Sequence, residues 1–159
     1  MADKPKTIYM AVDPGGTGSY HTAIDGLKDI IPYNLDSDQD FLDHVADLYE
    51  EYEGNVVAIL EAVPCFAGKN IPSHTSFKLG KHCGFIEGVF RTKRIPVHLI
   101  SPRKWQMPIK GLGKKTGHAR KRAIREAAAI LYPHIRPTVR NADSLMMLHY
   151  FFCNNNQKS

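Results

Sequence analysis

The sequence predicts an α/β domain, and three observations carry that prediction. Two short runs, Ile8 to Val12 and Val56 to Leu60, are apolar on both faces and rich in β-branched residues, as buried strands are. Stretches with apolar residues at helical spacing follow, notably Asp38 to Glu53 and Ser73 to Lys93. Between them Asp25-Gly26 joins two more strand-like runs. At 159 residues the chain fits one domain over residues 1–159, with residues 1–6 and 154–159 expected to be flexible ends.

Taken in order, Ile8 to Val12 reads as a central strand, although so short a run also fits a buried helical turn. Pro14, which cannot donate to a strand ladder, and Gly15, Gly16 and Gly18 stop it abruptly. His21 to Gly26 and Leu27 to Tyr33 then form a hairpin, with Asp25-Gly26 as a two-residue turn and Asp25 a turn residue.

From Asp38 to Glu53, Phe41, Leu42, Val45, Leu48, Tyr49 and Tyr52 share one helical face and acids fill the other. Ser37 or Asp38 can cap this helix, and Gly54-Asn55 ends it. Val56 to Leu60 is a second buried strand, closed by Glu61 and soon followed by Pro64. Cys65 to Pro72 reads as a loop before the long helix Ser73 to Lys93, which carries Phe77, Leu79, Phe85, Ile86, Val89 and Phe90.

Gly80, Gly84 and Gly88 lie on one stripe of that helix, and each costs it about 1 kcal/mol relative to alanine. Seating the helix on the sheet is the favoured reason for them; a dimer contact or passage of a DNA backbone are the others. Ile95 to Ile100 is the last strand, and Ser101-Pro102 opens a short helix bearing Trp105. Lys110 to Gly117 is a flexible basic loop without P-loop spacing, so no nucleotide cofactor is indicated. A helix over His118 to Leu131 and a final one from about Arg140 to Cys153 complete the chain, the latter with Asp143 in its first turn.

Composition bounds the function. No apolar stretch reaches the roughly 18 residues of a membrane span, and no signal peptide is evident. Cys65, Cys83 and Cys153 are widely spaced, which argues against a disulfide framework or structural zinc and suits packed free thiols in a reducing, cytoplasmic setting. The net charge of +5 conceals an asymmetry: up to Val63 there are 3 Lys and Arg against 13 Asp and Glu, and from Pro64 onward 18 against 3. A segregated basic half is the footprint of a polyanion partner, nucleic acid foremost. Lys110, Lys114 and Lys115 in the loop and Arg120, Lys121 and Arg122 at the start of the next helix are the phosphate-contacting candidates, with Arg140 beside the last helix.

Asp13 at the end of the first strand admits three readings. It is an ordinary Asp-Pro-Gly turn residue, a metal ligand, or part of a phosphate-cradling turn like that of sugar kinases. Glu61 ends the second buried strand in the same way, and if the two strands are parallel neighbours, about 4.8 Å apart, both carboxylates can face one ion or a pair.

The ordered set Val12-Asp13-Pro14-Gly15, Leu60-Glu61, the Phe77 to Gly88 helix, Pro96 to Ser101, Pro102-x-x-Trp105, Lys114-Lys115 and Asn141-Ala142-Asp143-Ser144 resembles the RNase H-like nucleases. Within them it is similar to the RuvC-type Holliday junction resolvases, especially their short phage forms. The resemblance implies a five-stranded mixed sheet flanked by helices, a homodimer, and cleavage of four-way DNA junctions with Mg2+ or Mn2+, one or two ions per subunit. It implies intracellular residence, in the host cytoplasm for a phage protein.

Carried over by position, Asp13, Glu61 and Asp143 are the catalytic metal ligands. The family places an acid or a histidine three residues before the last of these, where this chain has Arg140, and Asn141 is the nearest polar group to serve behind the ligands. Hard oxygen ligands suit magnesium or manganese, and paired ions supply the needs of phosphodiester hydrolysis. Two alternatives stand beside this reading: a junction-binding protein of the same fold that does not cut, and an actin-like or sugar-kinase-like phosphate-binding fragment, for whose second lobe the length leaves little room.

Overall fold

A computed structural model describes residues 5–63 and 71–155. Strands β1 (Ile8–Asp13), β2 (Ser19–Ile24) and β3 (Lys28–Asn34) form an antiparallel meander, followed by helix α1 (Asp38–Glu51) and strand β4 (Val56–Glu61). Helix α2 (Ser73–Thr92), strand β5 (Val97–Ile100) and helices α3 (Pro102–Gln106), α4 (Gly117–Leu131) and α5 (Ala142–Asn155) complete the chain. The sheet order is β3-β2-β1-β4-β5, with β4 parallel to both β1 and β5. This is the mixed five-stranded sheet flanked by helices that was expected.

Strand alternation sorts the core into two layers. Met10, Val12, Ala58 and Leu60 face α1 and α2, packing with Phe41, Val45, Ile86 and Phe90. Ala11, Ala23 and Ile59 face the other way, onto Trp105, Ile124, Leu145, Met147 and Leu148 of α3, α4 and α5. Ser37 caps α1 by accepting the Asp40 N–H at 3.2 Å. Pro32 sits on the edge strand β3, where a missing ladder donor costs least.

Five expectations are corrected. The β2–β3 turn holds three residues, not two: Ile24 pairs with Lys28, Asp25 and Gly26 take positive φ (44° and 109°), and Leu27 packs on the α5-side core. Asp25 does act as a turn residue, exchanging hydrogen bonds with the Thr7 backbone. The glycine stripe does not seat α2 on the sheet, because a Cβ added at Gly80, Gly84 or Gly88 meets nothing within 4 Å. Ile86, Val89 and Phe90 seat the helix instead, and Phe77 is 73% exposed.

The Lys110–Gly117 loop is a run of hydrogen-bonded turns pinned by buried Ile109 and Leu112, rather than a free loop. The final helix begins at Ala142 and continues to Asn155, so residues 154 and 155 are helical rather than a flexible end. Of the thiols, Cys83 is half-buried but Cys153 is exposed, not packed. Cys65 and most of its expected loop lie outside the described residues.

Candidate active site

The site is built where β1 and β4 end. Val12 pairs with Leu60 in parallel register, so Asp13 and Glu61 leave the sheet side by side. Alternation turns both away from the Val12 and Leu60 face and towards α5. Asp143, buried in the first turn of α5, meets them there.

The turn after Asp13 is tight for a steric reason. A Cβ on Gly18 would stand 2.5 Å from the Asp13 carbonyl oxygen and 3.0 Å from that of Gly15, so only glycine closes it. Gly18 N–H donates to Gly15 O at 3.0 Å, and Gly18 O accepts from the Leu35 N–H at 3.0 Å.

Burial and neighbouring negative charge both act on the two strand-end acids. Burial, then the charges of Glu61 and Asp143, hold the Asp13 carboxyl well above the usual range, against a smaller opposing effect of Lys121. Burial pushes Glu61 up to about 7, and Asp143 adds to it; a hydrogen bond from Trp105 and the charges of Lys121 and Arg120 act in the opposite direction. That bond runs from the Trp105 indole N–H to Glu61 Oε2 at 2.9 Å. The neighbouring Cys83 thiol is pushed up to about 11, by burial first and then by Glu61, Asp13 and Glu87.

Lys121 answers the negative charge. Its ammonium donates to Asp143 Oδ2. Burial alone would lower its pKa, but Asp143, through charge and hydrogen bond, and Asp13 and Glu61 outweigh that and raise it. Asp143 Oδ1 is buried and has no hydrogen-bond partner among the described residues.

The donor set fits a hard divalent cation: three carboxylates, two of them pushed towards the neutral form, with one buried carboxylate oxygen unused. As arranged, however, no three His, Cys, Asp or Glu side chains among the described residues close on a common point tightly enough to hold an ion. The Lys121 ammonium is bound to the carboxylate that such an ion would share.

The cationic candidates divide by geometry. Lys110, Lys114 and Arg122 are exposed, as is Lys115, whose Nζ donates to Gly111 O at 2.6 Å and closes the loop. Arg120 is half-buried and close enough to Glu61 to lower its pKa. Arg140 is turned inward, its guanidinium donating to Gly18 O at 3.2 Å and to Asp36 Oδ1 at 2.6 Å, so it ties the entry of α5 to the glycine turn. Asn141 closes the turn that leads into α5: its Oδ1 accepts the Thr138 N–H at 2.7 Å, and its own N–H donates to Thr138 Oγ1.

Behind Asp143 lies a buried polar cluster that sequence reasoning missed. Ser144 Oγ is 2.8 Å from both Ser19 Oγ and His21 Nδ1 and donates to Asn141 O at 3.1 Å. The Trp105–Glu61 and Lys121–Asp143 pairs were also missed. The one usable signal was the single tryptophan, Trp105, on an element entering the same apolar layer as the strand-end acids.

Neither a family model nor a curated protein sequence matches the chain. Among solved structures it is similar to T. thermophilus RuvC in complex with Holliday junction substrate, at 13% identity over 94% of this chain and 96% of that one, with a TM-score of 0.62. A second similar structure is that of Thermus thermophilus RuvC, at 16% identity over 94% and 97% of the two chains, with a TM-score of 0.54. No helix among the described residues is long and apolar enough to cross a membrane. Identities this low establish the fold alone, a mixed five-stranded sheet flanked by helices shared with these RuvC structures.

Proposed function

We propose that the protein is a metal-dependent endodeoxyribonuclease that cuts branched DNA, four-way junctions foremost, with Asp13, Glu61 and Asp143 as the ligands of magnesium or manganese. The observation that carries this reading is the approach of three carboxyl groups from β1, β4 and α5, where burial first and mutual charge second raise Asp13 and Glu61. Such an arrangement opposes folding unless a cation offsets it. That a protein of the same fold has been solved with a Holliday junction supports the choice of substrate.

A divalent ion held by these carboxylates would supply charge stabilisation at the phosphorus and a more acidic water. The chain's own groups do the rest. Trp105 orients Glu61 through Oε2, and Lys121 holds Asp143 until a cation competes for it. The exposed Lys110, Lys114 and Arg122 hold the phosphate backbone, with Lys115 and Arg120 nearer the loop and the acids. The reading includes a homodimer, supported by the open glycine stripe of α2; sedimentation at micromolar concentration tests it.

A second reading, junction binding without cutting, is favoured by the Lys121–Asp143 ion pair and by Arg140, which is committed to Gly18 and Asp36. One assay separates the two: a labelled four-way junction incubated with magnesium, manganese or chelator. Cutting that needs the metal and vanishes in Asp13→Asn, with junction binding kept, supports the nuclease. Binding without cutting under every ion supports the second reading.

A further inference from the structure

His82 stands outside the carboxylate cluster, yet it holds the turn on which Asp13 sits. Its ring lies on α2 with the side chain 18% exposed. Nδ1 accepts the Gly15 backbone N–H at 3.0 Å, and Nε2 lies 3.2 Å from Asp38 Oδ1 at the start of α1.

These two contacts assign the tautomer. A nitrogen that accepts from an amide N–H carries a lone pair there, so the single ring proton of the neutral imidazole is on Nε2, aimed at the Asp38 carboxylate. The ring is also flanked by Phe85, with parallel planes and centroids 6.4 Å apart.

Pro14 has no N–H, so Gly15 carries the first backbone donor after Asp13 itself. That donor is the one His82 takes. Leu79, three residues earlier on α2, places Cδ1 3.7 Å from where a Gly15 Cβ would be, so the same helix face bounds the turn sterically. The turn is thus held on both sides: by Arg140 on the Gly18 carbonyl and by His82 on the Gly15 amide.

We propose that His82, as its Nε2–H tautomer, is a positioning residue that ties the Asp13–Gly18 turn to α2 through the Gly15 amide and so sets the Asp13 carboxylate for a divalent cation. It touches neither the cation nor the nucleic acid. The proposal rests on the reading of Asp13, Glu61 and Asp143 as cation ligands. A carboxylate on a short turn moves with that turn, and loss of a partner behind a ligand typically costs about 10- to 100-fold in metal affinity.

Two substitutions separate positioning from general support. His82→Asn places an amide oxygen near the position of Nδ1, where it can accept the Gly15 N–H, but falls short of Asp38. His82→Gln reaches the position of Nε2 and can donate to Asp38, but leaves Gly15 without an acceptor. Each removes one hydrogen bond, so their ion-free melting temperatures should fall by similar amounts.

The full-length chain would be titrated with Mn2+ and followed by electron paramagnetic resonance. We expect His82→Asn to stay within about twofold of the wild type and His82→Gln to weaken binding by about tenfold or more. Long-range proton–nitrogen spectra of the wild type should show an unprotonated Nδ1 and a protonated Nε2. Equal losses in the two variants, no loss in either, or the opposite tautomer would overturn the proposal. A wild type that binds no Mn2+ would instead remove the cation reading on which it rests, and the proposal with it.

Discussion

The indole N–H of Trp105 donates to Glu61 Oε2 at 2.9 Å, which makes a core tryptophan of α3 the orienting partner of a strand-end acid on β4. A hydrogen bond to a carboxylate favours its charged form. Trp105→Phe keeps most of the packing volume and removes that bond. Glu61, already pushed up to about 7, should then rise further. The expected result is a loss of roughly 1 kcal/mol in urea unfolding and an acid limb of Mn2+ binding displaced to higher pH. A displaced limb is the part that simple loss of packing would not produce.

The acids themselves should make the ion-free protein less stable as pH rises. Glu61 is raised from an ordinary carboxylate to about 7, so the folded state holds its proton more tightly than the unfolded state. Its stabilising contribution is complete below the unfolded value near 4.5 and is lost as pH climbs through about 7. At about 1.4 kcal/mol per unit the full effect is on the order of 3 kcal/mol. With chelator present, Glu61→Gln and Asp13→Asn should therefore melt higher than the wild type at pH 8, with the difference closing near pH 4.5. A difference that does not change with pH would contradict the raised acids.

Much of this architecture is legible in the residues, and what is not has physical reasons. An apolar strand buried on both faces must end somewhere, and the acid that ends it marks the sheet's rim; this is why Asp13 and Glu61 could be read, with their parallel pairing as the one condition. Asp143 is readable because an acid in a helix's first turn sits at a known end. Lys121 was not separable from Arg120 and Arg122, since which of three consecutive cations faces the acids depends on how α4 crosses α5. The stripe of Gly80, Gly84 and Gly88 was readable as a face but not as an uncovered one. His82 reaches Gly15 across 67 residues of chain, a distance no local pattern spans.

His21 has the opposite pH dependence to the acids. Burial lowers its pKa to about 4, so the folded protein excludes the proton that the unfolded chain takes up near 6.5. The stability this contributes is present above 6.5 and is lost as pH falls towards 4, again on the order of 3 kcal/mol. His21→Asn keeps a polar atom near Nδ1 for Ser144 but does not titrate. The variant should be less stable than the wild type at pH 7.5, and the gap should narrow by pH 4.5. Thermal melts at the two pH values check this, and a constant gap would assign His21 a packing role alone.

The basic loop offers the test of nucleic-acid binding that depends least on catalysis. Lys114 is exposed and free to meet a phosphate, whereas Lys115 spends its ammonium on Gly111 O and holds the loop closed. Removing one cation that touches a phosphate should lower the slope of log affinity against log salt by roughly one. Lys114→Ala should therefore flatten the salt dependence of junction binding by about one unit with the loop intact. Lys115→Ala should weaken binding at all salt concentrations by loosening the turn, with a smaller change of slope. Titrations of a labelled junction between about 50 and 200 mM salt, the range over which phosphate binding changes affinity steeply, distinguish the two effects. Unchanged slopes in both variants would remove this loop from the DNA-binding surface and leave Arg120 and Arg122 to carry it.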